Sequence, residues 1–104
     1  MQLILSWAGE ASFDQIMPAV DALAEIGPTL GRPLADRVKA SRHHNMKELR
    51  SAGHHIRILF AFDPDRNAIL LIGGDKAGQW KEWYLTNIPV ADDLYDAHLR
   101  GEKI

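Results

Sequence analysis

The stretch RVKASRHHNMKELRSAGHHIRILFAFDPDRNAILLIGGD, Arg37 to Asp75, decides the reading of this 104-residue chain. At its centre is IRILFAF, Ile56 to Phe62, an apolar run rich in β-formers that carries one arginine. Strict alternation puts Ile56, Ile58, Phe60 and Phe62 on one face and Arg57, Leu59 and Ala61 on the other. DPDRN, Asp63 to Asn67, is a cluster of turn formers, and Ala68 to Gly73 is a second strand, apolar on both faces. A strand of that kind belongs inside a sheet that is covered on both sides. Upstream, Asn45 to Arg50 reads as a short, mixed edge strand, with Ser51-Ala52-Gly53 as the turn between.

Working outward, Phe13, Ile16, Met17, Val20, Leu23 and Ala24 recur at helical spacing. Ser12 and Gln15 form a capping-box pattern, and Gly27-Pro28 supplies the stop. Pro18 predicts a kink in the first turns of that helix. Gln2 to Trp7 is too short for periodicity to choose between strand and helix, and we read it as helix. Leu30 to Arg42 is a connector, with Leu34 and Val38 spaced for one helical turn. Trp80, Trp83 and Tyr84 have helical spacing, and Asn87 with Pro89 marks a new helix start. Val90, Leu94 and Ala97 or His98 give that last helix its apolar face, and the tail after Leu99 is expected to fray. The expected fold is α+β: a small antiparallel sheet of three to four strands, with the N-terminal helices packed on one face. The remaining face is then left available to Arg57. The whole chain, 1–104, reads as one domain.

Charge is unevenly placed. The chain carries −2, yet Arg37 to Arg57 holds six cationic side chains against Glu48, a local +5 that leaves −7 elsewhere. Four of the five histidines, His43, His44, His54 and His55, lie in the same segment. Positive charge concentrated in this way either meets an anionic partner or is a solvated face. The sequence pI near 6.2 confines any nucleic-acid binding to a local surface. Without cysteine, disulfides and thiolate metal sites are excluded. No HxxxH or HExxH spacing supports a metal, and Gly73-Gly74 is not followed by a phosphate-loop lysine, so neither metal nor cofactor is expected. No apolar run is long enough to span a membrane, and the expected location is cytoplasmic.

The succession NMKELR, RILFAFDP and LLIGGDKAGQW resembles the RelE/HigB-type toxins of type II toxin–antitoxin systems, most closely their phage-derived branch. The resemblance covers roughly Leu30 to Leu99 and implies a RelE-like α+β fold and a toxin silenced by a cognate antitoxin, typically of helix-turn-helix type. It also implies endoribonuclease activity on mRNA at the ribosome, and so translation inhibition. It sets Arg57 at the phosphate-contacting arginine of the middle strand, Lys47 and Arg50 at basic positions of the preceding strand, and Lys76 among the lysines after the last strand. To these the local chemistry adds one of His54 and His55 as a proton carrier. The family usually opens with a strand. A helical Gln2 to Trp7 would leave a sheet edge open to a partner or a second copy. Two rivals share the fold: a gyrase poison of the ParE kind, and a catalytically inactive relative that acts as a binding module.

Overall fold

The computed structural model describes residues 2–8, 13–52, 55–75 and 80–101. In chain order they form β1 (Gln2–Ala8), α1 (Met17–Ile26), β2 (Ala35–Arg37), β3 (Lys47–Arg50), β4 (Ile56–Phe62), β5 (Ala68–Asp75) and α2 (Trp80–Leu99), with 3-10 turns at Phe13–Gln15 and Gly27–Thr29. The strand order is β1-β5-β4-β3-β2. Strands β2 to β5 form an antiparallel meander, and β1 adds to its edge parallel to β5.

The alternation expected of β4 is what builds the core. Ile56, Ile58 and Phe60 join Ile16, Leu23 and Leu49 under α1, while Leu59 and Ala61 join Trp83, Ala91 and Tyr95 under α2. The antiparallel sheet with the N-terminal helix on one face is therefore as expected. The second face is not open: α2 lies on it, so the sheet is sandwiched between helices. Register slips between Leu59 and Phe60 opposite β5, and there Leu71 and Ile72 both face the α2 core. One extra residue in a strand turns two successive side chains to the same side. That explains how LLI fills one face without breaking the strand.

Several sequence expectations are corrected. Gln2 to Trp7 is strand, not helix, so the opening strand is present and β5 is paired along both edges. A run of this length cannot complete the turns a stable helix needs, whereas pairing with β5 satisfies its backbone at once. Part of the Leu30 to Arg42 connector is strand β2, with Ala35 buried toward α1 and Asp36 turned the other way. Pro18 makes no kink, because α1 begins only at Met17 and places Pro18 in the first turn, where its missing N–H has no partner to lose. Gly27 ends α1 as expected, at φ 78°, its N–H donating to the Leu23 carbonyl.

Trp80 to Leu99 is one helix with Pro89 inside it rather than two helices. Pro89 leaves the Leu85 carbonyl without its intrahelical donor. Both residues lie on the exposed side, where water can satisfy that oxygen. Continuity from Trp83 also sets the phase of the buried stripe: Ile88, Ala91 and Tyr95 face the core, and Val90 is exposed. The Ser12 cap and the tail beyond Gly101 lie outside the described residues. No helix among the described residues is long and apolar enough to cross a membrane.

Candidate functional site

Arg50 on β3 and Arg57 on β4 are directly opposite one another in the register, on the face covered by α2. Two like charges at such a position repel. The sheet resolves this with acids on the same face. Glu48, two residues before Arg50, is only 5% exposed, and its Oε1 accepts from Arg50 Nε at 2.8 Å and stands 3.7 Å from Arg57 Nε. Asp36, opposite Glu48 on β2, accepts from Arg50 Nη2 at 3.2 Å and from Arg32 Nε at 3.1 Å. Arg57 also donates through Nη1 to the Ile56 carbonyl at 2.9 Å.

Tyr84 of α2 closes over this cluster. Burial, then hydrogen bonding to Glu48 and its negative charge, push the phenol up to about 12, against the opposing pull of Arg57. Tyr84 thus stays protonated and can act as a hydrogen-bond donor. Its other side lines a cavity of about 450 Å³ between α2 and the Ala40–Arg42 segment, together with Trp80, Leu85, Ile88 and Pro89.

Not every residue singled out from the sequence reaches this place. Arg50 and Arg57 do. Lys47 pairs with Phe60 on the opposite face, and its Nζ donates to the Pro28 carbonyl at 3.1 Å. His55 is exposed immediately before β4, and alternation sets it on the same side as Arg57. His54 and Lys76 lie outside the described residues. Glu48 Oε1 is the carboxylate oxygen 3.7 Å from Arg57 Nε, and Asp63 Oδ2 meets His98 Nε2 at 2.9 Å. Asp36 and Glu48 were missed as site residues, whereas Tyr84 was one of two candidates, with Tyr95, for the family's site tyrosine. Glu48 looks like a lone exception in a basic segment until the β3–β4 register sets it between two arginines.

Arg42 and His43 of this segment are also engaged. Arg42 Nη2 bridges Asp93 at 3.0 Å and Asp96 at 2.6 Å, and His43 Nε2 meets Asp96 at 2.8 Å. His43 is therefore tied to α2 rather than solvated, and its ring meets Tyr95 edge-on. Asp92, 2% exposed, accepts from the Ser41 hydroxyl and from the Arg42 N–H. Much of the local +5 is answered by acids brought in from α2 and β2.

Two predictions follow from these contacts. Asp92→Ala strands the Ser41 and Arg42 donors, and the expected loss is about 1–3 kcal/mol, read from urea unfolding. Acid should also weaken the fold. The Arg42 hydrogen bond holds the Asp96 carboxyl below its ordinary 3.8, and the Arg32 hydrogen bond does the same for Asp36. Groups with depressed folded values stabilise above the unfolded value and lose that contribution as pH falls through the folded one. The melting temperature should therefore hold above the ordinary carboxylate range and drop below it. The Asp96→Asn variant should show a smaller drop.

With the geometry described, comparison with known proteins identifies the class. Residues 9–96 match the family described as Phage derived protein Gp49-like (DUF891), and the chain belongs to that family. It is 63% identical over 84 residues to the Mycobacterium tuberculosis (strain ATCC 25618 / H37Rv) protein named "Putative toxin HigB3", covering 81% of this chain and 74% of that protein. It is 48% identical over 91 residues to "Putative toxin HigB2" of the same strain, covering 85% of this chain and 45% of that longer protein. The HigB-type, phage-derived resemblance read from the NMKELR and RILFAFDP motifs is thereby borne out. No solved structure matches the chain.

Proposed function

We propose that this chain is the toxin of a toxin–antitoxin pair and that it blocks translation by cleaving mRNA on the ribosome. The convergence of Arg50, Arg57, Glu48 and Tyr84 on one sheet face supports this reading most. In the proposed reaction the RNA 2′-oxygen attacks the adjacent phosphorus, and the bond to the 5′-oxygen breaks. Arg57 and Arg50 offer planar, permanently charged donors to the phosphorane oxygens. Glu48 takes the 2′-hydroxyl proton, and His55, once protonated, returns one to the leaving oxygen. Tyr84 donates a hydrogen bond at the mouth of the cluster. Lys76 would assist in binding phosphate. Lys47, on the far face, is left with the sheet's other side.

Its cytoplasmic location and a cognate antitoxin of helix-turn-helix type belong to the same proposal. Induced expression in bacterial cells tests it. Translation arrest with ribosome-phased cuts in mRNA is the expected outcome, whereas a DNA damage response without cuts would move the assignment to a gyrase poison. The carboxylates already seated on both arginines favour a second reading, a non-cleaving binding module, which predicts folded protein and no growth effect.

In the nuclease reading Asp36 competes with phosphate for Arg50. Asp36→Asn is then expected to tighten binding of a short single-stranded RNA several-fold, measured by fluorescence anisotropy at fixed salt.

A further inference from the structure

Trp80 and Trp83 share one turn of α2 but are used differently. Trp83 is 7% exposed and packs in the core, whereas Trp80 is 54% exposed. Trp80, Tyr84 and Ile88 repeat at i, i+4 and i+8, so they line one side of the helix. That side and the facing Ala40–Arg42 segment wall the cavity of about 450 Å³. Small-molecule sites run to roughly 300–1,000 Å³, so the space suits a ligand of that class. The facing wall is pinned. Buried Asp92 accepts from the Ser41 hydroxyl and the Arg42 N–H, and the Arg42 guanidinium bridges Asp93 and Asp96. The cleft is therefore formed before any ligand arrives, which lowers the cost of filling it. Asp92 is the one carboxylate among its lining residues, and it is turned to those internal donors. Lys81 stands at the aromatic end, its Nζ 5.7 Å from the Trp80 ring centre. Tyr84 belongs to this cavity and, through Glu48 and Arg57, to the arginine cluster.

We propose that this cavity is a base-binding subsite: it receives a base of the RNA strand whose phosphate lies on Arg50 and Arg57, stacked against Trp80 and Tyr84. The inference rests on the nuclease reading for the place of the phosphate and adds what holds the nucleotide beside it. In a single strand each phosphate is joined through a ribose to a base. A phosphate site and an aromatic cleft that share one wall, Tyr84, are therefore filled by one strand. Phosphate contacts position a nucleic acid, and aromatic side chains take the faces of its bases. Every base has such a face, so the subsite adds affinity without a strict sequence requirement. Lys81, at the outer end beside Trp80, is placed to meet the next phosphate along the strand. An apolar side chain of a protein partner would fill the same space but carry no anion past Tyr84 to the arginines.

The test uses the full chain and two fluorescent probes at fixed salt. The first is a 2′-O-methyl oligoadenylate, whose blocked oxygen cannot attack. The second is the same strand with abasic residues, which keeps every phosphate and no base. Fluorescence anisotropy of the parent is expected to show about tenfold tighter binding of the adenylate strand. Trp80→Ala should erase that preference, weakening the adenylate strand about tenfold and leaving the abasic strand unchanged, while Trp80→Phe keeps most of it. Because Trp80 is largely exposed, the melting curves of both variants should match the parent. Equal binding of the two strands by the parent overturns the subsite and leaves the arginine cluster as a phosphate site. A preference that survives Trp80→Ala overturns it too, as does an alanine variant that loses both strands alike. No binding of either strand also overturns the subsite, and the nuclease reading is then judged by ribosome-phased cuts alone. A Trp80-dependent base preference in a protein that cuts no mRNA upholds the subsite and removes only the cleavage. A dimer in sedimentation that Trp80→Ala dissolves would assign the cleft to a second copy and overturn the proposal.

Discussion

Arg57→Ala is expected to lower ribosome-dependent mRNA cleavage by about a hundredfold or more, the usual loss when one fixed donor to a developing oxyanion is removed. The residue lies on the middle strand with 13% of its side chain exposed, so its guanidinium is held by the sheet rather than by solvent. Truncation removes both the proposed phosphate donor and one of the two arginines beside Glu48, so folding must be measured alongside activity. Arg57→Lys separates the two. Lysine keeps the charge near Glu48 but lacks the planar fork, and the variant should melt close to the parent while cleaving far more slowly. Cleavage by Arg57→Ala at the parent's rate would remove the arginine from the mechanism. Loss of cleavage in Arg57→Ala with full activity in Arg57→Lys would make its role one of charge alone.

Glu48→Ala is expected to destabilise the fold by about 3–5 kcal/mol, the cost of breaking a buried ion pair from one side. Arg50 and Arg57 would then face each other across the β3–β4 pair without the carboxylate between them, Asp36 still pairing Arg50. Urea unfolding of the parent and variant at neutral pH measures the difference. Glu48→Gln retains a hydrogen-bond acceptor for Arg50 and should cost less than Glu48→Ala, yet it cannot take a proton. A Glu48→Gln variant that folds well but does not cleave RNA would support the proton-accepting role. One that cleaves normally would leave Glu48 with a structural task only.

The contrast between Arg57 and Lys47 shows what a linear reading can reach. Both residues are basic, both flank the turn, and the family resemblance places both in the site. Alternation along IRILFAF is local, so the side of the sheet that Arg57 takes relative to Ile58 and Phe60 was legible without coordinates. Whether Lys47 shares that side depends on the pairing of β3 with β4, which set it opposite Phe60 and toward Pro28. Register is a relation between two strands, and neither strand carries it alone.

The same division runs through the rest of the molecule. Periodicity and turn chemistry were enough to establish strands β3, β4 and β5, the amphipathic α1 with its Gly27 stop, and the double-sided burial of β5, because each rests on contacts between residues close in sequence or on the apolar content of one strand; β3, read as an edge, lies inside the sheet because β2 pairs its outer side. The motifs in the same stretch were enough to establish the toxin family. Tertiary structure decided that Gln2 to Ala8 is a strand, since an ambiguous short run takes the state its neighbour β5 can pair with. It decided that α2 runs through Pro89 and covers the second face. And it decided that Arg42, Arg50 and Arg57 of the basic segment are answered by Asp36, Glu48, Asp93 and Asp96, because charge neutralisation depends on distance in space, which separates Arg42 from Asp96 by 54 positions in sequence and 2.6 Å in the fold.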